Sequence, residues 1–294
     1  QDAQLLAAQF SGLTPGNEMK WDTTEPTRGT FNFAPADTIV SFAQQHHMTV
    51  RGHTLVWHNQ LASWVSSITS GSDLLNAMEN HIRGEASHFR GKVVSWDVVN
   101  EAFNEDGTRQ TNIFQQEIGN SYIEDAFRTT HAVDPHALLC YNDFNIEGIN
   151  AKSDAVYNMV KDFKARHVPI NCVGFQAHLI VGLVPSDFQA NLQRFARLGV
   201  IVQITELDIR MPVPATTANL QQQASDYKSV VQACLAVFLC NNISTWGISD
   251  KDSWIPGFFT GQGAALLFDE NFKPKPAFST VLEALEDVRF SPPH

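Results

Sequence analysis

The sequence predicts an α/β fold of the (β/α)8 (TIM) barrel class, formed by a single domain over residues 1–294. Short β-branched apolar runs, typical of buried parallel strands, alternate with helical periodicity along the whole chain. Neither a linker nor a low-complexity stretch interrupts this alternation. The length of 294 residues also suits one barrel, since such barrels commonly need about 250 residues.

Strands and helices are predicted in strict alternation. The predicted strands are 12–15, 49–57, 93–100, 138–142, 172–178, 200–207 and 243–248. The predicted helices are 36–47, 73–89, 112–132, 150–166, 186–197, 217–238 and 275–287. Seven strands would leave an eight-stranded barrel open, with two exposed parallel edges. Because Gln1–Phe10 has the pattern of a helix end, we expect the first strand to lie upstream of residue 1.

Composition excludes several classes of partner. The formal net charge of −11 argues against nucleic acid and anionic membranes, both of which favour Lys/Arg-rich surfaces. No apolar run approaches the roughly 20 residues of a membrane span, and no signal-like segment opens the chain. The acidic composition gives no sign of oligomerisation, so we expect a monomer.

The four cysteines do not have the spacing of a zinc site or of a disulfide-rich scaffold. Cys234 and Cys240 are six residues apart and could close a small loop. Cys140 and Cys172 each lie in an apolar strand-like run, and we expect them to be buried thiols. Asn242 begins an Asn-Ile-Ser glycosylation sequon. The sequon and the possible small loop together favour a secreted protein.

Two predicted strands end in glutamate. WDVVNEA delivers Glu101 and VQITELD delivers Glu206, each after a run that turns polar only in its last residues. Paired carboxylates at the carboxyl ends of barrel strands suit cleavage of a glycosidic bond, where one acts as acid and the other as nucleophile or base. Taken singly, Glu101 could be a helix-starting carboxylate and Glu206 half of a structural ion pair.

Further polar and aromatic side chains recur at the strand ends. They are Asn17, Lys20, His53, Trp57, Gln60, Asn100, Asn142, Gln176, His178, Asp208, Trp246 and Trp254. Indole faces beside carboxamides suit a sugar ring, which has apolar faces and a rim of hydroxyl groups. Each of these tryptophans alone could be a core residue, and His178 alone could be a hydrogen-bonded core histidine. His53 and His58 should face opposite sides of a strand, which disfavours a shared metal.

The chain resembles glycoside hydrolase family 10, the endo-β-1,4-xylanases, in a series of motifs that follows the family's order and spacing. The motifs are TPGNEMKWDTTEP from Thr14, RGHTLVWHNQ from Arg51, WDVVNEAFNEDG from Trp96, YNDFN from Tyr141, GFQAHL from Gly174, ITELDIR from Ile204 and WGISDKDSW from Trp246. The resemblance covers essentially the whole chain. It implies a TIM barrel, secretion, no metal or other cofactor, and hydrolysis of xylan or xylo-oligosaccharides with retention of configuration.

The resemblance also implies roles for individual residues. Glu101 would be the acid/base and Glu206 the nucleophile, and retention requires their carboxyl groups to lie about 5–5.5 Å apart. His178 would hydrogen-bond Glu206, and Asp208 would orient His178. The remaining implied contacts are Gln176 near the acid/base, Asn100 at the sugar 2-hydroxyl, Asn17, Lys20, His53, Trp57 and Gln60 on the glycone side, Trp246 and Trp254 at the cleavage point, and Asn142 and Phe144 on the leaving-group side.

Three positions depart from the family pattern. Gly16 stands in place of a usual glutamate, Phe144 in place of a usual tyrosine, and Ile255 where many members have arginine. These departures leave open a retaining β-glycosidase of the same barrel family that acts on another β-linked glycoside. A carbohydrate-binding barrel without turnover and a metal-dependent hydrolase are two further alternatives.

Overall fold

The computed structural model describes residues 2–289, so Gln1 of the predicted Gln1–Phe10 helix end and the last five residues of the predicted 1–294 domain lie outside the described residues. The strands are β1 (Gly12–Leu13), β2 (Thr49–Val56), β3 (Ser95–Asn100), β4 (Leu138–Asp143), β5 (Cys172–Phe175), β6 (His178–Ile180), β7 (Ile201–Pro212), β8 (Cys240–Thr245) and β9 (Gln262–Gly263). The helices are α1 (Asp2–Gln9), α2 (Trp21–Thr24), α3 (Ala34–Gln45), α4 (Ser63–Ser66), α5 (Gly71–His88), α6 (Ile113–Glu117), α7 (Tyr122–Val133), α8 (Ala151–Ala165), α9 (Phe188–Ala196), α10 (Thr217–Leu235), α11 (Ile255–Phe258) and α12 (Pro276–Arg289).

Residue contacts group the chain into two compact units. The first unit contains residues 9–143 and 150–174. The described residues of the second unit are 2–8, 144–149 and 175–289. A single domain over residues 1–294 stays a prediction.

In the first unit, β1, β2, β3 and β4 pair in parallel and in chain order. All six residues of β3 are buried, as are all residues of β2 after the first, which explains why both strands have continuous apolar runs. Gly52 lies opposite Trp96 in the register. A Cβ at Gly52 would collide with the indole ring of Trp96, so glycine permits the close pairing of β2 with β3.

Three helices of the first unit, α5, α6 and α8, begin at side-chain caps that satisfy free backbone N–H groups. The Ser70 hydroxyl accepts from the Asp73 N–H at the start of α5, and the Asn150 side chain caps α8 in the same way. The single helix predicted over 112–132 is two helices, α6 and α7. Gly119, between them, has φ +90°, which a continuing helix cannot accommodate.

In the second unit, β6 and β8 both pair in parallel with β7, while β9 pairs with it antiparallel. The strand predicted over 172–178 is divided into β5 and β6, because Ala177 between them adopts a left-handed conformation at φ +60°. Helix α10 packs against α12 and against β7. These contacts bury the middle of the long strand β7, which carries Glu206 and Asp208.

An extended segment that the sequence reading missed follows β9. Ala265, Leu266, Leu267 and Phe268 are all buried, and Phe268 forms a parallel bridge with Ser249. The Asp250 N–H donates to the Phe268 carbonyl at 2.9 Å. The bridges of Phe268 are isolated and lie outside the named strands of the sheet, so the expected strand upstream of residue 1 stays a prediction.

All four cysteines form disulfides. The Cys234–Cys240 bridge closes the small loop that their spacing allowed. The expectation of buried thiols at Cys140 and Cys172 is wrong, because these residues form a second disulfide across 32 residues of sequence. Both sulfur atoms are buried in strands β4 and β5, and the Asn171 N–H donates to the Leu139 carbonyl beside them.

Candidate active site

Glu101 follows the last residue of β3 in a left-handed backbone conformation at φ +57°, which is uncommon outside glycine and is typical of functional positions. Its N–H donates to the Asn142 carbonyl at 2.9 Å, and its Oε2 accepts from the indole Nε1–H of Trp57 at 2.8 Å. Beside it, the Asn142 side chain donates to the Asn100 Oδ1 at 2.9 Å. The ends of β3 and β4 therefore hold three predicted site residues in one network with Trp57.

Lys20 links the remaining predicted glycone-side residues of the first unit. Its Nζ donates to Gln60 Oε1 at 2.8 Å and to Asn17 Oδ1 at 3.0 Å, and it lies 5.0 Å from the centre of the Trp57 ring. The Gln60 side chain also donates to Asn17 Oδ1 at 3.1 Å. Lys20 is buried, whereas Asn17 and Gln60 are exposed, so the amide groups can meet a ligand while the lysine orients them.

His53 is held by a buried ion pair that the sequence reading did not single out. Its Nδ1 lies 2.9 Å from Asp97 Oδ2, and Asp97 also forms an ion pair with Arg51. Burial opposes ionisation of Asp97, but the Arg51 guanidinium and the His53 ring outweigh it and keep the pKa of Asp97 below its ordinary value. Arg51 and Asp97 each interrupt a buried apolar strand, and that was the available signal, because such charges are rarely buried unpaired.

In the second unit, β6 and β7 place His178 between two carboxylates. Its Nε2 lies 3.0 Å from Glu206 Oε2, and its Nδ1 lies 2.9 Å from Asp208 Oδ2. Burial alone would lower the pKa of His178, but the charges and hydrogen bonds of Asp208 and Glu206 outweigh it and raise the pKa to about 10. His178 is therefore an imidazolium near neutral pH, and both of its ring nitrogens donate.

The backbone around His178 is fixed by buried groups. The Glu206 N–H donates to the Gln176 carbonyl at 3.0 Å, which ties the middle of β7 to the segment between β5 and β6. The Ala177 N–H donates to the buried carboxylate of Glu147 at 2.8 Å. These bonds hold Ala177 in its left-handed conformation, and this turn directs the His178 ring at Glu206.

Two tryptophans lie against the His178 ring. The Trp254 ring centre is 5.0 Å from that of His178, and the Trp246 ring centre is 6.4 Å from it. The Trp254 Nε1–H donates to Asp208 Oδ2 at 2.8 Å, so one carboxylate oxygen accepts from both Trp254 and His178. Both tryptophans are half-buried, which leaves part of each indole available to a ligand.

The three departures from the family pattern occupy different environments. Apart from its chain neighbours, no heavy atom lies within 4 Å of the Cβ position at Gly16, and the adjacent Asn17 N–H donates to Glu18 Oε2 at 3.0 Å. Ile255 is fully buried at the start of α11, directly after Trp254. Phe144 is half-buried in the turn after β4. Glu18 is thus the carboxylate nearest in sequence to the position where the family usually has one.

The sequon residue Asn242 lies in β8 with its side chain engaged. Its Nδ2 donates to the Ile204 carbonyl at 3.2 Å and to the Ser244 hydroxyl at 2.9 Å. The nitrogen that would carry a glycan therefore faces the neighbouring strand in this conformation. Glycosylation at Asn242 stays a prediction.

Among residues 2–289, no group of three or more His, Cys, Asp or Glu side chains is arranged to hold a metal ion. No helix in the same range is long and apolar enough to cross a membrane.

The two glutamates have contrasting donors, and this contrast determines what each can do. Glu206 accepts from a cationic imidazolium, which favours an ionised carboxylate. Glu101 accepts from the neutral indole of Trp57. Glycoside hydrolysis uses two carboxyl groups in different roles, and the different donors make these two glutamates unequal.

Comparison with known proteins agrees with these features. The sequence profile described as Glycosyl hydrolase family 10 matches residues 1–284. The chain is 49% identical over 277 residues to an endo-1,4-beta-xylanase of Agaricus bisporus, covering 94% of this chain and 83% of the relative. Native xylanase 10B of Thermotoga maritima superposes with a TM-score of 0.96 at 46% identity, over 98% of this chain and 90% of that one.

A further solved structure, xylanase 10B of Thermotoga petrophila RKU-1 in complex with xylobiose, also has a TM-score of 0.96 and 46% identity, over 98% of this chain and 89% of that one. Likeness of this extent confirms the (β/α)8 barrel class predicted from the sequence. With its motifs, fold and profile match in agreement, the chain belongs to glycosyl hydrolase family 10.

Proposed function

We propose that this protein is an endo-1,4-β-xylanase that hydrolyses internal bonds of xylan with retention of configuration. The observation that carries the proposal is the contrast between Glu206, bonded to the His178 imidazolium, and Glu101, bonded to the neutral indole of Trp57. The names of its relatives and the xylobiose complex of one of them support xylo-oligosaccharides as ligands. Retention further requires the two carboxyl groups to lie about 5–5.5 Å apart.

In the first step, Glu101 donates its proton to the interglycosidic oxygen while the Glu206 carboxylate attacks the anomeric carbon. The bond from that carbon to the leaving oxygen breaks, and an ester bond to Glu206 forms. His178 holds Glu206 ionised and oriented until the attack. Asp208 fixes the His178 ring through Nδ1.

In the second step, Glu101 is ionised and accepts a proton from water, whose oxygen attacks the anomeric carbon. The ester bond breaks and Glu206 leaves as a carboxylate, so two inversions give net retention. The Trp57 indole N–H donates to Glu101 Oε2 at 2.8 Å and so orients the carboxyl group.

The remaining predicted residues would bind the sugar chain. Lys20 and its amide partners Asn17 and Gln60 offer donors and acceptors for glycone hydroxyl groups. Asn100 would contact the 2-hydroxyl, an interaction that strengthens as the oxocarbenium-like transition state forms. The half-buried faces of Trp246 and Trp254, next to His178, suit the apolar face of a xylose ring.

The test is hydrolysis of an aryl β-xylobioside by the wild type and by Glu206→Ala, with and without azide, with NMR of the first-formed anomer. We expect β-anomer from the wild type, loss of activity in the variant, and rescue by azide as the inverted α-glycosyl azide. If the protein hydrolyses an aryl β-cellobioside but not the xylobioside, the proposed substrate is wrong, while the proposed roles of the two glutamates stand. Binding to insoluble xylan without release of reducing sugar would refute catalysis.

We also propose that the protein acts as a secreted monomer. Two disulfides involve all four cysteines, and disulfides persist mainly in oxidising compartments. Light scattering of the native protein tests the monomer, and thiol titration of the denatured, unreduced protein tests the disulfides. A dimer mass, or titratable thiols in the denatured unreduced protein, would contradict the proposal.

A further inference from the structure

The main chain on the carboxyl side of Glu101 is tied to a buried phenol. The Ala102 N–H donates to the Tyr141 hydroxyl at 2.8 Å, while the Glu101 N–H donates to the Asn142 carbonyl at 2.9 Å. Glu101 therefore lies between two consecutive backbone N–H groups that are both anchored to β4. Because its backbone is left-handed, at φ +57°, these bonds oppose relaxation to a more populated conformation.

The Tyr141 hydroxyl is itself fixed in direction. It donates to Asp143 Oδ2 at 2.5 Å, so its single proton is committed and a lone pair remains for the Ala102 N–H. Asp143 Oδ1 lies 3.0 Å from Lys152 Nζ, which is also 3.3 Å from Glu105. Tyr141, Asp143 and Lys152 all have a relative exposure of 0%.

Charge connects this network to the candidate acid/base. Burial and, to a smaller extent, the charge of Glu101 raise the pKa of Asp143 to about 7, against the opposing effects of Lys152 and of the Tyr141 hydrogen bond. A buried lysine–aspartate pair gives no assured gain in stability over apolar residues. A pair that only joined β4 to α8 would need neither the phenol nor its bond to Ala102.

We propose that Tyr141 is a positioning residue for the acid/base: through the Ala102 N–H it holds the left-handed main chain of Glu101, and Asp143 with Lys152 fixes the direction of its hydroxyl. This proposal rests on the function proposed above for Glu101. Its consequence is specific to proton transfer, because Glu206 and His178 are held by other residues, on β6 and β7.

The test is Tyr141→Phe, compared with Glu101→Ala and with Tyr227→Phe. Tyr227 is the matched control, since it is equally buried and its hydroxyl also bonds a backbone group, the Ala265 carbonyl, at 2.7 Å. Each variant is assayed on an unactivated xylo-oligosaccharide and on a dinitrophenyl β-xylobioside, whose leaving group needs no protonation. Thermal melting of each variant reports stability.

For Tyr141→Phe we expect kcat/KM on the oligosaccharide to fall about tenfold, because misplacing a general acid forfeits part of its contribution of about 10²–10⁴-fold. On the dinitrophenyl substrate, kcat/KM should stay within about twofold of wild type, while kcat and KM fall together because base-assisted release of the glycosyl-enzyme slows. Azide should raise that kcat and give the β-glycosyl azide.

Glu101→Ala should show the same dependence of kcat/KM on the leaving group, with a larger loss on the oligosaccharide. Tyr227→Phe should lower the melting temperature without making kcat/KM depend on the leaving group. If Glu101→Ala shows the pattern and Tyr141→Phe does not, the positioning role is refuted and the proposed function stands. Equal losses on both substrates in Tyr141→Phe, with a fall in melting temperature like that of Tyr227→Phe, would also refute it. If Glu101→Ala itself shows no dependence on the leaving group, the proposed function fails first.

Discussion

Replacing Asp208 by asparagine removes one of the two negative charges beside the His178 imidazolium but keeps an oxygen 2.9 Å from Nδ1. The pKa of His178 is about 10 in the folded protein, against 6.5 for an unperturbed histidine. That difference corresponds to about 5 kcal/mol of stability. Because the folded-state pKa is the raised one, this contribution is fully present below about pH 6.5 and is lost as the pH rises through about 10. It falls by roughly 3 kcal/mol between about pH 6 and pH 9.

In Asp208→Asn, the largest influence that raises the pKa of His178 is gone, and only Glu206 opposes burial. The pKa of His178 should then fall toward its ordinary value. Its contribution to stability should shrink most at low pH. We therefore expect the stability difference between wild type and variant to be largest near pH 6 and to narrow by about 2 kcal/mol by pH 9.

Urea unfolding of both proteins at about pH 6 and pH 9 measures this difference. The control is Asp226→Asn, which also removes a buried carboxylate, one that accepts from the Gly182 N–H at 2.7 Å and from the Gln222 amide at 2.9 Å. It should follow the pH dependence of the wild type. If the difference in unfolding free energy between wild type and Asp208→Asn is the same at both pH values, Asp208 does not stabilise the charge on His178. A ring nitrogen of His178 that titrates near 6.5 in NMR would refute the reasoning directly.

Three further changes have distinct expected outcomes. Trp57→Phe removes the indole donor 2.8 Å from its carboxylate partner. We expect kcat on an aryl xylobioside to fall about tenfold with little change in melting temperature. An unchanged kcat would contradict a role for this hydrogen bond in catalysis. Joint replacement of Cys140 and Cys172 by alanine should cost about 4 kcal/mol in urea unfolding, against about 2 kcal/mol for the other, shorter disulfide loop, and equal costs would speak against an entropic origin. Arg51→Ala leaves the carboxylate of Asp97 buried beside a histidine alone and should cost about 3–5 kcal/mol of unfolding free energy, so a loss below about 1 kcal/mol would show that the ion pair is dispensable.

Strand ends were the most predictable part of the sequence. The runs that lead to Glu101 and Glu206 are apolar until their last residues. Glu101 directly follows the end of β3, as expected, whereas β7 continues past Glu206 to Pro212. The contact of His178 with Glu206 was predicted only through the family resemblance. Its contact with Asp208 joins neighbouring strands in register, His178 opposite Asp208, and such pairings are not encoded in either segment alone.

The errors share a physical cause, which is that they concern contacts between segments distant in sequence. Cys140 and Cys172 each have the appearance of a buried apolar residue, and only the adjacency of their strands reveals the disulfide. The segment 265–268 lies between a glycine and an aspartate and is too short to show a strand pattern of its own. The sequence shows Asp97 as a charge within an apolar strand, but it does not identify the residue with which Asp97 forms an ion pair.

The shared oxygen of Asp208 has a consequence for regulation by binding. Because Oδ2 accepts from both Trp254 and His178, the order of the Trp254 side chain and the protonation of the imidazole are thermodynamically linked. A sugar that immobilises Trp254 must change the proton affinity of His178, and a change in pH must, by the same free energy, change the affinity for that sugar. Binding of a sugar at Trp254 and binding of a proton at His178 are therefore coupled, each changing the affinity for the other.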